Sequence, residues 1–258
     1  MCILMVPAIL ISSALTSDPD ALPTYTVLRV SGQIVIDGKM DEACWQNAPP
    51  VGDFVFPWWT EGEKEPTVAR LLWDDENLYV CFVVYDKHIS AVHTDRDAPV
   101  SEDDCVEVFI APNPRRVKDY FNFEVNAVGA LLDRSPLDNR SKDWNAEGIR
   151  IGITIDGTLN DDTDEDRAWT VEMAIPFAVF AGFARAIPPA DGDAWRLNLY
   201  RTGGKVNPQY SAWSNPATAR PSFHVPERFG VMVFSAQVVP STQSNPVKGE
   251  RHESQFDS

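Results

Sequence analysis

The stretch L-L-W-D-D-E-N-L-Y-V-C-F-V-V-Y (71–85) sets the reading of the fold. Two apolar runs flank D-D-E-N, and polar turn residues between such runs predict a β-hairpin. Working outward, strand-like runs follow near 104–111, 119–126, 149–155, 168–175, 194–201 and 230–234, with turn residues between them. Helical patterns are confined to two short pieces. One is E-A-C-W-Q-N-A, with Asp41 as its N-cap; the other is F-A-V-F-A after Pro176. Many short strands and few helices predict an all-β fold, an antiparallel two-sheet β-sandwich of the jelly-roll or immunoglobulin-like kind, over residues 25–235.

The flanks read differently. M-C-I-L-M-V-P-A-I-L-I-S-S-A (1–14) has the apolar run and small-residue end of an export signal, with Ser12 and Ala14 at the −3 and −1 positions, though no Lys or Arg precedes it. It predicts an extracellular or periplasmic protein. Cys2 lies ahead of the apolar run and is not placed as a lipoprotein cysteine. Residues 15–24 read as a polar linker, so 1–24 form a signal segment and linker. The Ser-, Gln- and Pro-rich segment 236–258 is expected to be a disordered tail. No later stretch approaches the ~20 apolar residues of a membrane span.

With 44% hydrophobic and 10% aromatic residues, the 258-residue chain can bury a sizeable core. A net charge of −16 argues against nucleic acid and anionic membranes as partners, and leaves neutral ligands and cations such as Ca²⁺. No C-x-x-C pair occurs, which argues against a zinc ribbon. Cys81 and Cys105 read as small buried hydrophobes, and a disulfide between them is open if their strands adjoin. His88, His93, His224 and His252 lack metal-ligand spacing. There is no phosphate-binding glycine loop and no G-x-S-x-G.

Alternation assigns the strand faces. Val106, Val108 and Ile110 share a face with the core, as do Phe121, Phe123 and Val125. The opposite face then carries Glu107, Asn122, Glu124, Asn126, Glu172, Arg196 and Asn198, if these strands lie in one sheet. Such residues are poor strand formers. A solvated face is one explanation. A set of Glu, Asn and Arg also supplies the acceptors and forked donors that suit a multiply hydroxylated ligand. On either reading Arg196 is expected to pair with a facing Glu, Glu107 to be exposed, and Glu102, Asp103 and Asp104 to form a loop edge.

Several blocks resemble the family 9 carbohydrate-binding modules: I-D-G-K-M-D-E-A-C-W (36–45), L-L-W-D-D-E-N-L-Y-V (71–80), D-D-C-V-E-V-F-I (103–110), Y-F-N-F-E-V-N-A (120–127), D-R-A-W-T-V-E-M-A-I-P (166–176), G-D-A-W-R-L-N-L-Y-R (192–201) and P-E-R-F-G (226–230). The resemblance implies a sugar-binding β-sandwich, often joined to xylanases and other glycan-degrading enzymes, with Ca²⁺ as a structural ion. It implies a sugar clamped between two Trp rings. Those positions fall at Ser101 and Phe223 here, so one aromatic wall is kept as Phe and the other is missing. Glu107 falls on the family's sugar-binding Glu, and Glu124 stands where an Arg can occur. Glu107, Glu124, Asn126 and Arg196 would bond hydroxyls, Phe223 would stack, and His224 would donate from the rim. Loss of one stacking contact removes ~0.5–1.5 kcal/mol beyond buried area, up to about tenfold in Kd. Trp58 and Trp59 could replace the lost wall, or simply pack their loop on the sandwich edge.

Two other chemistries are open. Glu107 and Glu124, if directly opposed on neighbouring strands, have a spacing that a retaining glycosidase can use. The acidic run D-G-T-L-N-D-D-T-D-E-D-R (156–167) could hold Ca²⁺ or be a solvated loop. The leading expectation is a non-catalytic module that binds an oligo- or polysaccharide. The alternatives are a structural or protein-interaction sandwich and a hydrolase.

Overall fold

The computed structural model describes residues 21–137 and 144–240. The signal-like run with Ser12 and Ala14, Cys2, His252 and the tail beyond 240 lie outside them. In chain order the elements are β1 (Thr24–Ser31), α1 (Ala43–Asn47), β2 (Thr67–Trp73), β3 (Asn77–Tyr85), β4 (Cys105–Ala111), β5 (Phe121–Asn126), β6 (Leu131–Arg134), β7 (Arg150–Asp156), β8 (Ala168–Pro176), β9 (Ala194–Thr202), β10 (Tyr210–Ala212) and β11 (Gly230–Pro240). The chain is all-β. Strand β11 extends past residue 235, where composition had placed the boundary.

The expected hairpin is β2–β3, paired from Thr67↔Val84 to Trp73↔Leu78. Its turn closes on Asp74, whose Oδ1 accepts the amides of Glu76 (2.8 Å) and Asn77 (2.7 Å) while Oδ2 accepts the Tyr79 hydroxyl (2.7 Å). A side chain that satisfies turn amides is what Asp contributes at such positions.

The strands form one curled, mixed sheet in the order β6-β5-β4-β9-β11-β1-β2-β3-β8-β7, with β10 on β9, rather than two separate antiparallel sheets. The difference comes from β1. It lies parallel to β11 along its length and parallel to β2 only at Leu28↔Leu72 and Arg29↔Trp73, so two residue pairs join the halves. The halves face each other across a single core. Val106, Val108 and Ile110 of β4, with Phe121 and Phe123 of β5, meet Val80 and Phe82 of β3 and Trp169, Val171 and Met173 of β8. Burial of this apolar face is the main favourable term of folding.

Helix α1 begins after Glu42, not Asp41, and Glu42 makes no side-chain cap bond. Its carboxylate instead accepts the Val35 amide at 2.8 Å. The segment after Pro176 is a single 3₁₀ turn, Phe177–Phe180. Cys81 and Cys105 are buried free thiols. They sit on β3 and β4, which do not adjoin, so the disulfide is not formed.

The loop before α1 is tied to the outer face of β8 by Glu172, which is fully buried. Glu172 accepts the amides of Asp37 (3.0 Å) and Gly38 (2.7 Å) and the indole N–H of Trp45 (2.8 Å). Gly38 has φ +83°, and a Cβ there would lie 2.6 Å from the Ile153 carbonyl carbon. Only glycine fits both the conformation and the approach.

Candidate functional site

Strand β4 runs between β5 and β9, and register sets Glu107 directly opposite Glu124 on one side and Tyr200 on the other. All three point away from the core. Their face is not open to water, because the segment 210–230 folds over it. Tyr200 anchors this cover: its ring stacks on Phe223 with centroids 4.1 Å apart and planes at 14°, and its hydroxyl donates to the Phe223 carbonyl at 2.8 Å. Beside it, Phe109 stacks on Tyr120 at 5.7 Å and packs against His224 at 5.1 Å. The Tyr120 hydroxyl and His224 Nδ1 are 2.8 Å apart. Glu107 is consequently only 3% exposed and Glu124 7%, which corrects the expectation of an exposed Glu107.

Between cover and sheet lies a cavity of ≈ 290 Å³, lined by Ser101, Glu107, Glu124, Thr202, Tyr210, Pro221, Ser222, Phe223 and His224. The depression beside Trp58 and Trp59 is wider, at ≈ 620 Å³, but holds no buried carboxylate. The Thr202 hydroxyl lies 3.4 Å from Glu107 Oε1, and the Asn122 amide donates to Glu124 Oε1 at 2.7 Å. Burial, then the charge of Glu124, pushes the Glu107 carboxyl well above the ordinary range, against a small pull from Thr202. Burial pushes Glu124 up to about 7, opposed by Asn122 and Arg134. Two desolvated carboxylates side by side do not both ionise readily, so near neutrality the pair retains a proton. Desolvation by the rings around it lowers the His224 pKa, which keeps that imidazole neutral. The cavity therefore presents acceptors, one acidic proton, hydroxyl groups and aromatic walls.

Five of the sequence candidates meet here: Ser101, Glu107, Glu124, Phe223 and His224. Two do not. Asn126 is fully buried and donates to Asp103 Oδ2 (2.7 Å) and the His93 carbonyl (2.8 Å). Arg196 turns to the backbone carbonyls of Glu227, Phe229 and Gly230, not to a facing Glu. Asn198 ties down Ser214, and Glu172 serves β8 on the distant half of the sheet. Alternation places a side chain on a face without saying which strand is its neighbour, so one predicted polar face is five separate devices. Asp103 and Asp104 are buried structural acceptors rather than a loop edge. Asp103 takes the amides of Val92 (3.1 Å) and His93 (3.0 Å), and Asp104 takes those of Ser90 (2.7 Å) and Gly204 (2.6 Å).

Phe223 is only 9% exposed, with one ring face occupied by Tyr200. Tyr210, 40% exposed and at 79° to Phe223, is the more open aromatic wall. Trp58 packs on Phe223 at 5.9 Å and donates to the Thr218 carbonyl, so it supports the cover. The exposed Trp59 carries the Lys64 ammonium 4.5 Å from its ring centroid and does not line the cavity. Thr202 and Tyr210 escaped the sequence reading. Thr202 continues the i, i+2 series of Arg196, Asn198 and Tyr200, so it was legible; Tyr210 lies on a three-residue strand in a Gly/Pro/Asn-rich stretch and was not.

Among the described residues no group of three or more His, Cys, Asp or Glu assembles to hold a metal. In the 156–167 run, Asp156 pairs with Arg167, Asp162 with Lys205, and Asp166 accepts the amides of Ile89 and Thr158. These three carboxylates face separate partners.

The sequence model of carbohydrate-binding family 9 matches residues 50–234. The chain belongs to carbohydrate-binding family 9. No curated protein matches this family 9 chain. Among solved structures it is similar to a candidate carbohydrate-binding protein of Bacteroides uniformis, with 23% identity and a TM-score of 0.68, over 83% of this chain and 100% of that one. It is also similar to a family 9 module of Caldicellulosiruptor kristjanssonii in complex with cellotriose, with 18% identity and a TM-score of 0.59, over 86% and 100% of the two chains. The glucose complex of that module gives 0.58 at the same identity and coverage. At these identities the likeness is one of fold.

Proposed function

We propose that this family 9 chain binds a saccharide, without cleaving it, in the cavity over Glu107 and Glu124. The observation that carries the reading is the cavity itself: paired carboxylates, hydroxyl groups and aromatic edges converge in one concave site on the sheet. A pyranose ring offers the matching hydroxyl donors and apolar C–H faces. The carboxylates stand abreast on one wall, on adjacent strands. Glycoside hydrolysis needs two that flank the scissile bond. Direct opposition also gives a spacing that a retaining glycosidase can use, so release of product from an oligosaccharide would overturn the non-cleaving part of the proposal.

The finer expectations belong to the same proposal. The neighbour's complexes with glucose and cellotriose make β-glucans the first ligands to try. Work beside glycan-degrading enzymes, on cellulose- or xylan-type substrates and after export, extends it. No helix among the described residues is long and apolar enough to cross a membrane. Calorimetric titration with glucose, cellotriose and xylotriose at millimolar concentration tests the reading. Saturable binding that Tyr210→Ala weakens would support it. Absence of binding by any mono- or oligosaccharide would overturn it in favour of a structural or protein-interaction role.

A further inference from the structure

Resting on that saccharide reading, we propose that the preferred sugar carries a free ammonium group, an unacetylated amino sugar whose nitrogen sits between Glu107 and Glu124. Register sets these two side chains directly opposite each other, and both are more than nine-tenths buried. Among the described residues each carboxylate has one donor, Thr202 on Oε1 of Glu107 and Asn122 on Oε1 of Glu124. Two desolvated carboxyl groups that hold one proton between them near neutrality therefore share one cavity with few donors of their own.

Among the described residues, nothing that lines the cavity supplies positive charge: they include no Lys or Arg. Arg134 of β6, directly opposite Asn122, bonds Asp97 at 2.9 Å; its charge pulls weakly on Glu124, but it does not line the cavity and offers the pair no direct bond. His224 is engaged with Tyr120 and neutral. The other titratable groups against the pair are Tyr200 of β9, Tyr120 and Cys105, and none becomes cationic. A neutral sugar hydroxyl leaves the charge of the pair uncompensated. A uronic acid would add a third carboxylate. An alkylammonium group brings three donors and one positive charge, and charge-assisted bonds to desolvated carboxylates are the stronger kind. Binding replaces the proton that the pair otherwise shares. The displaced proton leaves to solvent, and the complex ends with two carboxylates against one ammonium.

The test is calorimetry on the full chain with D-glucosamine, N-acetylglucosamine and glucose at pH 6.5, where the amine is protonated. Glucosamine is expected to bind at least about tenfold tighter than either of the others. Repeating the glucosamine titration in buffers of different ionisation enthalpy should show proton release. In Glu124→Gln the ratio of glucosamine to glucose affinity should fall to about one, whatever happens to glucose affinity itself; the wild-type ratio stands as evidence even if that variant does not fold. Glucosamine binding without detectable glucose binding also supports the proposal. Equal affinities for glucosamine and glucose would overturn it and leave the saccharide reading intact. Failure of all three sugars, cellotriose and xylotriose would overturn both.

Discussion

Replacing Glu172 by Ala should separate a polar residue that builds the fold from those that build the cavity. In the wild type one carboxylate accepts three hydrogen bonds, from the Asp37 and Gly38 amides and the Trp45 indole, at 2.7–3.0 Å in a fully buried position. Alanine leaves the Gly38 amide and the Trp45 indole without a partner, while the Asp37 amide keeps its bond to the Val35 carbonyl at 3.1 Å. A buried group deprived of its partner costs roughly 1–3 kcal/mol. The two orphaned donors shared one acceptor and are not independent, so the expected loss is about 2–5 kcal/mol, against total stabilities of about 5–15 kcal/mol. For a chain of this size each kcal/mol moves Tm by about 2–4 °C, which puts the shift near 10 °C. Glu172→Gln should lose less, about 1–3 kcal/mol. Its carbonyl can still accept from the two loop amides, while its NH₂ meets the Trp45 N–H as donor against donor. Urea unfolding of the three proteins at pH 7 gives these differences directly. Saccharide affinity of the folded Gln variant should stay within about twofold of wild type, a shift of ~0.4 kcal/mol. If the Ala variant unfolds within about 1 kcal/mol of wild type, the loop is held by something other than Glu172 and the reasoning fails.

Stability should also fall with rising pH through the neutral range. Glu124 and Asp104 both have folded pKa values raised to about 7, by burial first, so their contribution is fully present below the unfolded carboxyl values and lost as pH rises through about 7. Urea unfolding at pH 5 and pH 8 should show this, and Glu124→Gln should flatten part of the slope; an unchanged slope would contradict the burial account. Tyr210→Ala should weaken saccharide binding by up to about tenfold with little change in Tm, since an aromatic contact contributes ~0.5–1.5 kcal/mol beyond area. Phe223→Ala should instead lower stability, because it removes the ring stacked on Tyr200; equal Tm values for the two variants would refute the distinction. Cys44, Cys81 and Cys105 should react with a thiol reagent only after unfolding, and mass mapping that found rapid labelling of Cys105 in the native protein would refute its burial.

What the sequence could reveal follows from which contacts are local. The D-D-E-N turn and the alternation of 105–110 and 121–126 depend on neighbours along the chain, and β2, β3, β4 and β5 lie where those patterns indicate. The parallel insertion of T-Y-T-V-L-R-V-S between β11 and β2 depends on partners found at residues 231–240 and 72–73, which no local pattern encodes. The carboxylate pair was legible because β4 and β5 are joined by a short connection and adjoin in the sheet. Asn126 and Arg196 were misread for the complementary reason: the right face was assigned, but the covering segments that consume their hydrogen bonds were not visible. Burial of Glu107 likewise depends on the Tyr200–Phe223 contact across 23 residues.

The parallel pairing of β1 with β11 sets how the fold carries load. Thr24 lies beside Val231 and Ser31 beside Pro240, so the points where the described chain enters and leaves the sheet are at opposite ends of one ladder. Tension drawn between residues 24 and 240 slides the two strands along each other and strains their hydrogen bonds together. Tension between 31 and 240 would peel the same bonds apart in succession. We predict a higher rupture force for the first geometry in single-molecule pulling, and equal forces would refute it. A protein that grips a polymer while its ends are tethered would then hold by shear, with the terminal strands serving as its mechanical clasp.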